Sequence, residues 1–200
     1  MTDLSPSAWN ERYQTDETPW DLKGPTPEFQ RLLDAGELPS KGKVLVPGGG
    51  RGHDAILFAL RNYEVALVDF APLAIQAALV EAARQKATVY AYRQDFFELP
   101  KIGFHQSSYD IVLEYTFFCA IAPELRGRYV ETVAALLKPG GLLVGLFFPL
   151  TIDKEGPPFQ VSQAEVEKIF SPHFTLRIEK PKSSIKPREG REFLGLFRRK

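Results

Sequence analysis

Short apolar runs alternate along this chain with longer stretches of helical periodicity, and turn residues separate them. The run VLV at 44–46 is predicted as a strand, and HDAILFALR at 53–61 as a helix, its apolar residues recurring at helical spacing. EVALVD at 64–69 reads as a strand that ends in an acid. Pro72 then opens a helix at its first turn, where a missing N–H costs nothing, and the alanines and leucines of LAIQAALVEAARQ favour that state. TVYAY at 88–92 and YDIVLEY at 109–115 are predicted as the third and fourth strands. A helix near 123–137 is expected to stop at LKPGG, with GLLVGLFF at 141–148 as the fifth strand. Ser162 and Glu165 form a capping box for a short helix to Phe170. Strands at 173–180 and 192–198 follow, joined by a long Pro- and Ser-rich loop, IEKPKSSIKPREG.

Strand–helix alternation with nearly continuous apolar strands predicts an α/β, Rossmann-like fold: a buried, mostly parallel sheet with helices on both faces. A length of 200 residues suits one domain with a sizeable core. Charge is balanced, 25 basic against 25 acidic residues, so there is no electrostatic footprint for nucleic acid or an anionic membrane, and a small-molecule partner is expected. The single cysteine, Cys119, excludes an internal disulfide and fits a reducing compartment. Residues 1–20 carry acids and no apolar stretch of the signal-peptide kind. No run approaches the roughly 18 apolar residues of a membrane span. These features predict a cytoplasmic protein, monomeric or weakly homo-oligomeric.

The chemistry begins at KVLVPGGGRGHDA, residues 43–55. In open α/β sheets ligands bind beyond the carboxyl ends of the strands, and glycine there removes the Cβ atoms that would block approach to the backbone. A dinucleotide fingerprint starting at Gly48 needs glycine at 53, which is histidine. The register Gly48-x-Gly50-x-Gly52 fits instead a ligand without a pyrophosphate. Asp69, ending the second strand, stands where a carboxylate accepts hydrogen bonds from both ribose hydroxyls. A nucleoside without pyrophosphate points to S-adenosylmethionine, against the plainer reading of a glycine turn beside a solvated aspartate. Asp95 and Phe96 follow the third strand, where an acid can bind the adenine amino group and an aromatic ring can cover its face.

Trp9 and Trp20 are separated by about three helical turns, with Tyr13 one turn after Trp9. One reading is an amphipathic helix that plugs the core edge. The other is a lid, residues 1–22 ahead of a catalytic domain at 23–200, whose aromatic faces surround a sulfonium by cation–π attraction and exclude water.

The segments VPGGGRGHDA, VDFAPLAI, QDFFELP, EYTFFCAIAPELRGRY, LKPGGLLVGLFFPL, EGPPFQV and REGREFLGLFR together resemble the thiopurine methyltransferase superfamily, nearest its thiol and halide methyltransferase branch. The resemblance covers roughly residues 9–200. It implies a seven-stranded class I methyltransferase fold with an antiparallel last strand. It also implies that Trp9, Tyr13 and Trp20 (in TPWD) cover the cofactor, that Gly48 touches it, and that Asp69 binds its ribose. By the same resemblance Asp95 and Phe96 lie at the adenine, and Tyr115 reaches the methionine end. Gly49 replaces a cysteine common in the family, a change the fold is expected to accept. Phe148 stands where the branch usually has tyrosine, which removes a hydroxyl from the substrate pocket and weighs against halide use. Arg188 falls near a basic residue over the active site, against the reading of a solvated loop arginine.

The implied activity is methyl transfer to a small thiol, thiocyanate or halide by direct displacement. Alternatives are a thiopurine or chalcogen-oxyanion acceptor, or a cofactor-binding module without turnover. Sulfonium is a good leaving group and these acceptors are good nucleophiles, so no catalytic acid–base residue is assigned; alignment and water exclusion carry the reaction. His53 is read as structural at a helix start, and Cys119 as a buried hydrophobe. His105 and His173 lack partners at ligand spacing, so no metal is expected.

Overall fold

The computed structural model describes residues 2–151 and 155–200. It contains seven strands, in the order β3-β2-β1-β4-β5-β7-β6. By density of internal contacts the chain forms two compact units, residues 3–98 and 99–200. Met1, the first residue of the expected lid segment, lies outside the described residues.

The first unit carries α1 (Pro6–Gln14), α2 (Pro27–Asp34), β1 (Lys43–Pro47), α3 (His53–Ala59), β2 (Glu64–Asp69), α4 (Pro72–Arg84) and β3 (Val89–Arg93). β1 pairs in parallel with β2, and β2 with β3. β1 and β2 are buried over four consecutive positions each, which is why their sequences are continuous apolar runs rather than alternating ones. The inward face of α4 is alanine, with Ala74, Ala78 and Ala82 all buried, so the helix lies close against the strands. Helix α2 was not anticipated from the pattern. It buries Phe29 and Leu32, with Phe29 edge-on to Phe58 of α3 at 6.5 Å.

The second unit carries β4 (Tyr109–Tyr115), α5 (Arg126–Leu136), β5 (Leu137–Phe147), α6 (Gln163–Phe170), β6 (Phe174–Glu179) and β7 (Phe193–Arg199). β4 and β5 are parallel, and β7 runs antiparallel to both β5 and β6. The strand–turn boundary at LKPGG differs from expectation. α5 ends at Leu136, Leu137 is already extended, and β5 starts there. The segment from Lys138 to Gly141 is accommodated as an irregularity between the Tyr109↔Leu137 and Ile111↔Leu142 pairs, with Gly140 at φ +76° making the turn. Ser162 caps α6 as its pattern predicts, accepting the Glu165 N–H at 3.1 Å. The core here is aromatic: Phe118, Phe147, Phe170, Phe174 and Phe197 are all buried, with Phe147 stacked on Phe197 at 5.5 Å. Among the described residues no helix is long and apolar enough to cross a membrane.

Candidate functional site

The glycine loop leaves β1 with Gly48, Gly50 and Gly52 at φ +56°, +53° and +80°. A side chain at 50 would be strained by that backbone, and its Cβ would stand 3.0 Å from the Tyr13 hydroxyl. The loop turns its backbone towards the end of β2. There the Gly50 N–H donates to Asp69 Oδ2 at 3.1 Å, and the Ala71 N–H to Oδ1 at 2.9 Å. Burial pushes the Asp69 carboxyl pKa up, while backbone N–H groups of Ala71, Gly50 and Phe70 pull it back. A carboxylate has about four lone-pair sites, so capacity remains for the two hydroxyls of a ribose. The bare loop and this oriented carboxylate fit the nucleoside of S-adenosylmethionine.

Helix α1 is held over this loop. Trp9 and Tyr13 lie on it, but Trp20 does not share the helix, contrary to the reading from spacing. α1 ends at Gln14, Asp16 takes a left-handed φ of +56°, and Pro19 cannot extend a helix. Trp20 instead folds back, edge-on to Trp9 at 5.3 Å and to Tyr13 at 5.9 Å. These rings already take up cations: the Arg12 guanidinium lies 4.9 Å over Trp9, and that of Arg51 lies 5.9 Å over Tyr13.

Two connections of this segment were not foreseen. Asn10 Oδ1 accepts the Leu73 N–H at 3.0 Å, so it caps α4, whose own cap residue Ala71 has no side-chain acceptor. Asp21 of TPWD, its side chain 3% exposed, faces Arg51 Nε at 3.0 Å and His53 Nε2 at 3.1 Å. His53 is thus held by the segment that precedes the loop, in keeping with a structural role.

Asp95 and Phe96 are less alike than the sequence suggests. Asp95 is exposed and accepts the Phe97 N–H at 2.9 Å, capping the short 3₁₀ turn Phe96–Lys101. The Phe96 ring is turned into the interior, 2% exposed, against Phe97 at 5.5 Å.

In the second unit the predicted residues converge. Arg188 is no solvated loop residue: it is 6% exposed, and its guanidinium lies 4.6 Å over Tyr115 and 4.8 Å over Phe148. The turn Lys186–Arg188 positions it. Tyr115 donates to Glu192 Oε2 at 3.2 Å, and burial pushes its phenol pKa up. Behind Tyr115, the Glu114 carboxylate accepts the N–H groups of Phe117 at 3.1 Å and Phe118 at 2.9 Å, and the Tyr129 hydroxyl at 2.6 Å. That anchors the loop leaving β4. Cys119 is buried, its thiol pushed up to about 12 mainly by desolvation, which makes it a poor nucleophile. Neither Glu114 nor Glu192 was singled out from sequence; the available signal was an acid within or beside an apolar strand.

The model of the thiopurine S-methyltransferase family matches residues 4–200. This chain belongs to that family. Among curated relatives, the family member is 32% identical over 203 residues to a probable thiol methyltransferase 2 of Arabidopsis thaliana, covering all of this chain and 88% of the relative. It is 33% identical over 195 residues to thiocyanate methyltransferase 1 of Brassica oleracea, covering 96% and 84%. A solved 1,6-didemethyltoxoflavin-N1-methyltransferase of Burkholderia thailandensis, with 1,6-didemethyltoxoflavin and S-adenosylhomocysteine bound, shares the fold at TM-score 0.73 and 22% identity, over 98% and 87% of the two chains. The protein is therefore a methyltransferase of class I architecture.

Proposed function

We propose that the protein transfers the methyl group of S-adenosylmethionine to a small, soft nucleophile (a thiol, thiocyanate or, less readily, a halide) by direct displacement. The observation that carries the acceptor class is Arg188, a buried cation between the rings of Tyr115 and Phe148. A site of aromatic faces beside a buried cation favours large, weakly hydrated anions, because a strongly hydrated one must shed water without equivalent hydrogen bonds in return. The relatives named for thiols and thiocyanate support the same class.

Asp69 and the loop at Gly48 hold the ribose side of the cofactor in this reading, and Asp95 binds at the adenine. Phe96, being interior, shapes the adenine end from beneath. Trp9, Tyr13 and Trp20 close over the sulfonium, which supplies the methyl group when bound, and exclude water. Tyr115, Phe148 and Arg188 orient the acceptor. A lone buried Cys119 suits a reducing, cytoplasmic setting, and the protein acts as a monomer or weak homo-oligomer.

The test is Arg188→Leu assayed with thiocyanate and with a neutral alkanethiol. Loss of a charge-assisted contact of about 1.5–3 kcal/mol raises the thiocyanate KM roughly tenfold or more. An unchanged thiocyanate KM removes Arg188 from the acceptor site.

A further inference from the structure

Glu192 is a buried carboxylate for which the methyl-transfer reading has no use. It is 4% exposed and immediately precedes β7. Its Oε1 accepts the Ser184 hydroxyl at 2.7 Å, and its Oε2 accepts the Tyr115 phenol at 3.2 Å. Donors from two separate segments fix its orientation and leave Oε2 turned to the tyrosine. Arg188 also hydrogen-bonds the Tyr115 side chain. Arg188 lies over the Tyr115 ring, and Arg191 lies over Phe148 while donating to the Thr151 carbonyl at 2.7 Å. The buried acid Glu114 and the thiol of Cys119 lie behind. Tyr115 is thus an acceptor-site hydroxyl backed by a carboxylate that can take its proton.

We propose that Tyr115 and Glu192 form a proton relay through which the enzyme uses neutral thiols, not only preformed anions. The proposal rests on the methyl-transfer reading and extends it to the protonated acceptor class. A thiol of pKa about 8.5 is mostly protonated at pH 7, so an enzyme restricted to the thiolate uses only a few per cent of it. In the step, the acceptor S–H bond breaks and its proton passes to Tyr115 Oη as the Tyr115 proton moves to Glu192 Oε2. The freed sulfur pair forms the new S–CH3 bond. The sulfonium C–S bond breaks, and its electron pair stays on the departing thioether. Glu192 returns the proton to solvent, through Tyr115, as products leave. Thiocyanate and iodide carry no proton and bypass the relay. Glu192 is therefore a positioning and proton-accepting residue that acts through Tyr115.

Glu192→Gln keeps the shape and one acceptor oxygen but cannot take the proton. It is compared with the parent for kcat/KM on an alkanethiol and on thiocyanate between about pH 6 and about pH 8, with S-adenosylhomocysteine binding measured by calorimetry to show that the variant is folded. The expected result is a fall of at least tenfold in the thiol-to-thiocyanate ratio near pH 7. In the variant the thiol kcat/KM climbs about tenfold per pH unit, tracking preformed thiolate, where the parent profile is nearly flat. If Glu192→Gln does not fold, Glu192→Asp serves: it retains the flat profile at reduced rate. A ratio that holds, or one that falls while the thiol profile stays parallel to the parent's, overturns the relay. A parent protein that methylates neither acceptor overturns the methyl-transfer reading itself.

Discussion

Gly50 and Asp69 are joined by a 3.1 Å hydrogen bond from the Gly50 N–H to Oδ2, which couples the glycine loop to the end of β2. The bond fixes the carboxylate before any ligand arrives, so the cofactor does not spend binding energy on orienting it. Asp69→Ala removes the loop anchor and the carboxylate proposed to accept the ribose hydroxyls. Calorimetric titration with S-adenosylhomocysteine is expected to show a loss of about 1.5–3 kcal/mol, roughly tenfold to over a hundredfold in affinity. Parent-like affinity would remove Asp69 from the ribose site.

The glycine at position 49 is matched to its surroundings. A Cβ there would come within 2.5 Å of Leu67 Cγ and 2.7 Å of its Cδ1, and Leu67 is fully buried in β2. Gly49→Cys is therefore expected to destabilise by about 1–3 kcal/mol, contrary to the expectation from family resemblance that the fold accepts either residue. Thermal melting checks it. The cost should shrink when Leu67→Ala accompanies the substitution, since the pair then shares the space.

The amino-terminal segment should open and close. α1 has no fully buried residue and is fastened mainly by Asn10 to α4 and by Asp21 and Asp16 to Arg51. S-adenosylhomocysteine is expected to slow proteolysis between residues 2 and 20, because the ligand adds contacts only to the closed form. Asp21→Ala, losing about 1.5 kcal/mol of charge-assisted contact, should speed cleavage in the free protein by roughly tenfold. Equal cleavage with and without ligand would argue against a lid.

Much of this was legible in the chain. The strands stood out because a buried parallel sheet writes itself as unbroken apolar runs, as in β1 and β2. Asp69, Tyr115 and Arg188 were named from their positions after strands or from family resemblance; the structure puts Asp69 against the glycine loop and Arg188 over the Tyr115 ring. What escaped was decided by tertiary contact. Helix α2 is short, although Thr26-Pro27-Glu28 is a recognisable helix start that could have been read. Trp20 satisfied helical spacing but belongs to a returning turn that Pro19 enforces. Asp21 looks like a surface acid in sequence, and Glu114 and Glu192 stand within or beside apolar strands without showing what pairs with them. Each is buried by partners many residues away, Arg51 and His53 for the first, Tyr129 for the second, Tyr115 for the third.

Glu114 gives the protein a measurable pH response. Burial is the largest cause that holds its carboxyl at about 7, against an ordinary 4.5. The folded state thus favours the protonated acid. That stabilisation is fully present below about pH 4.5 and is lost as pH rises through about 7. Denaturant unfolding should show Glu114 contributing a decline of up to about 3 kcal/mol across this window. In Glu114→Gln that component should vanish, while the rest of the pH profile persists. Superimposable profiles for parent and variant would show that Glu114 does not titrate there.

The proposed reaction is methyl transfer from S-adenosylmethionine to a soft nucleophile held beside Tyr115, Phe148 and Arg188. The most direct measurement incubates the protein with S-adenosylmethionine labelled in its methyl group and equal concentrations of thiocyanate, an alkanethiol, iodide, chloride and an alcohol, and follows the label by mass spectrometry. Label is expected in the methylated thiol and thiocyanate, less in methyl iodide, and almost none in products of chloride or the alcohol. Label distributed equally to chloride or the alcohol, or no transfer to any acceptor while the cofactor is bound, would contradict it.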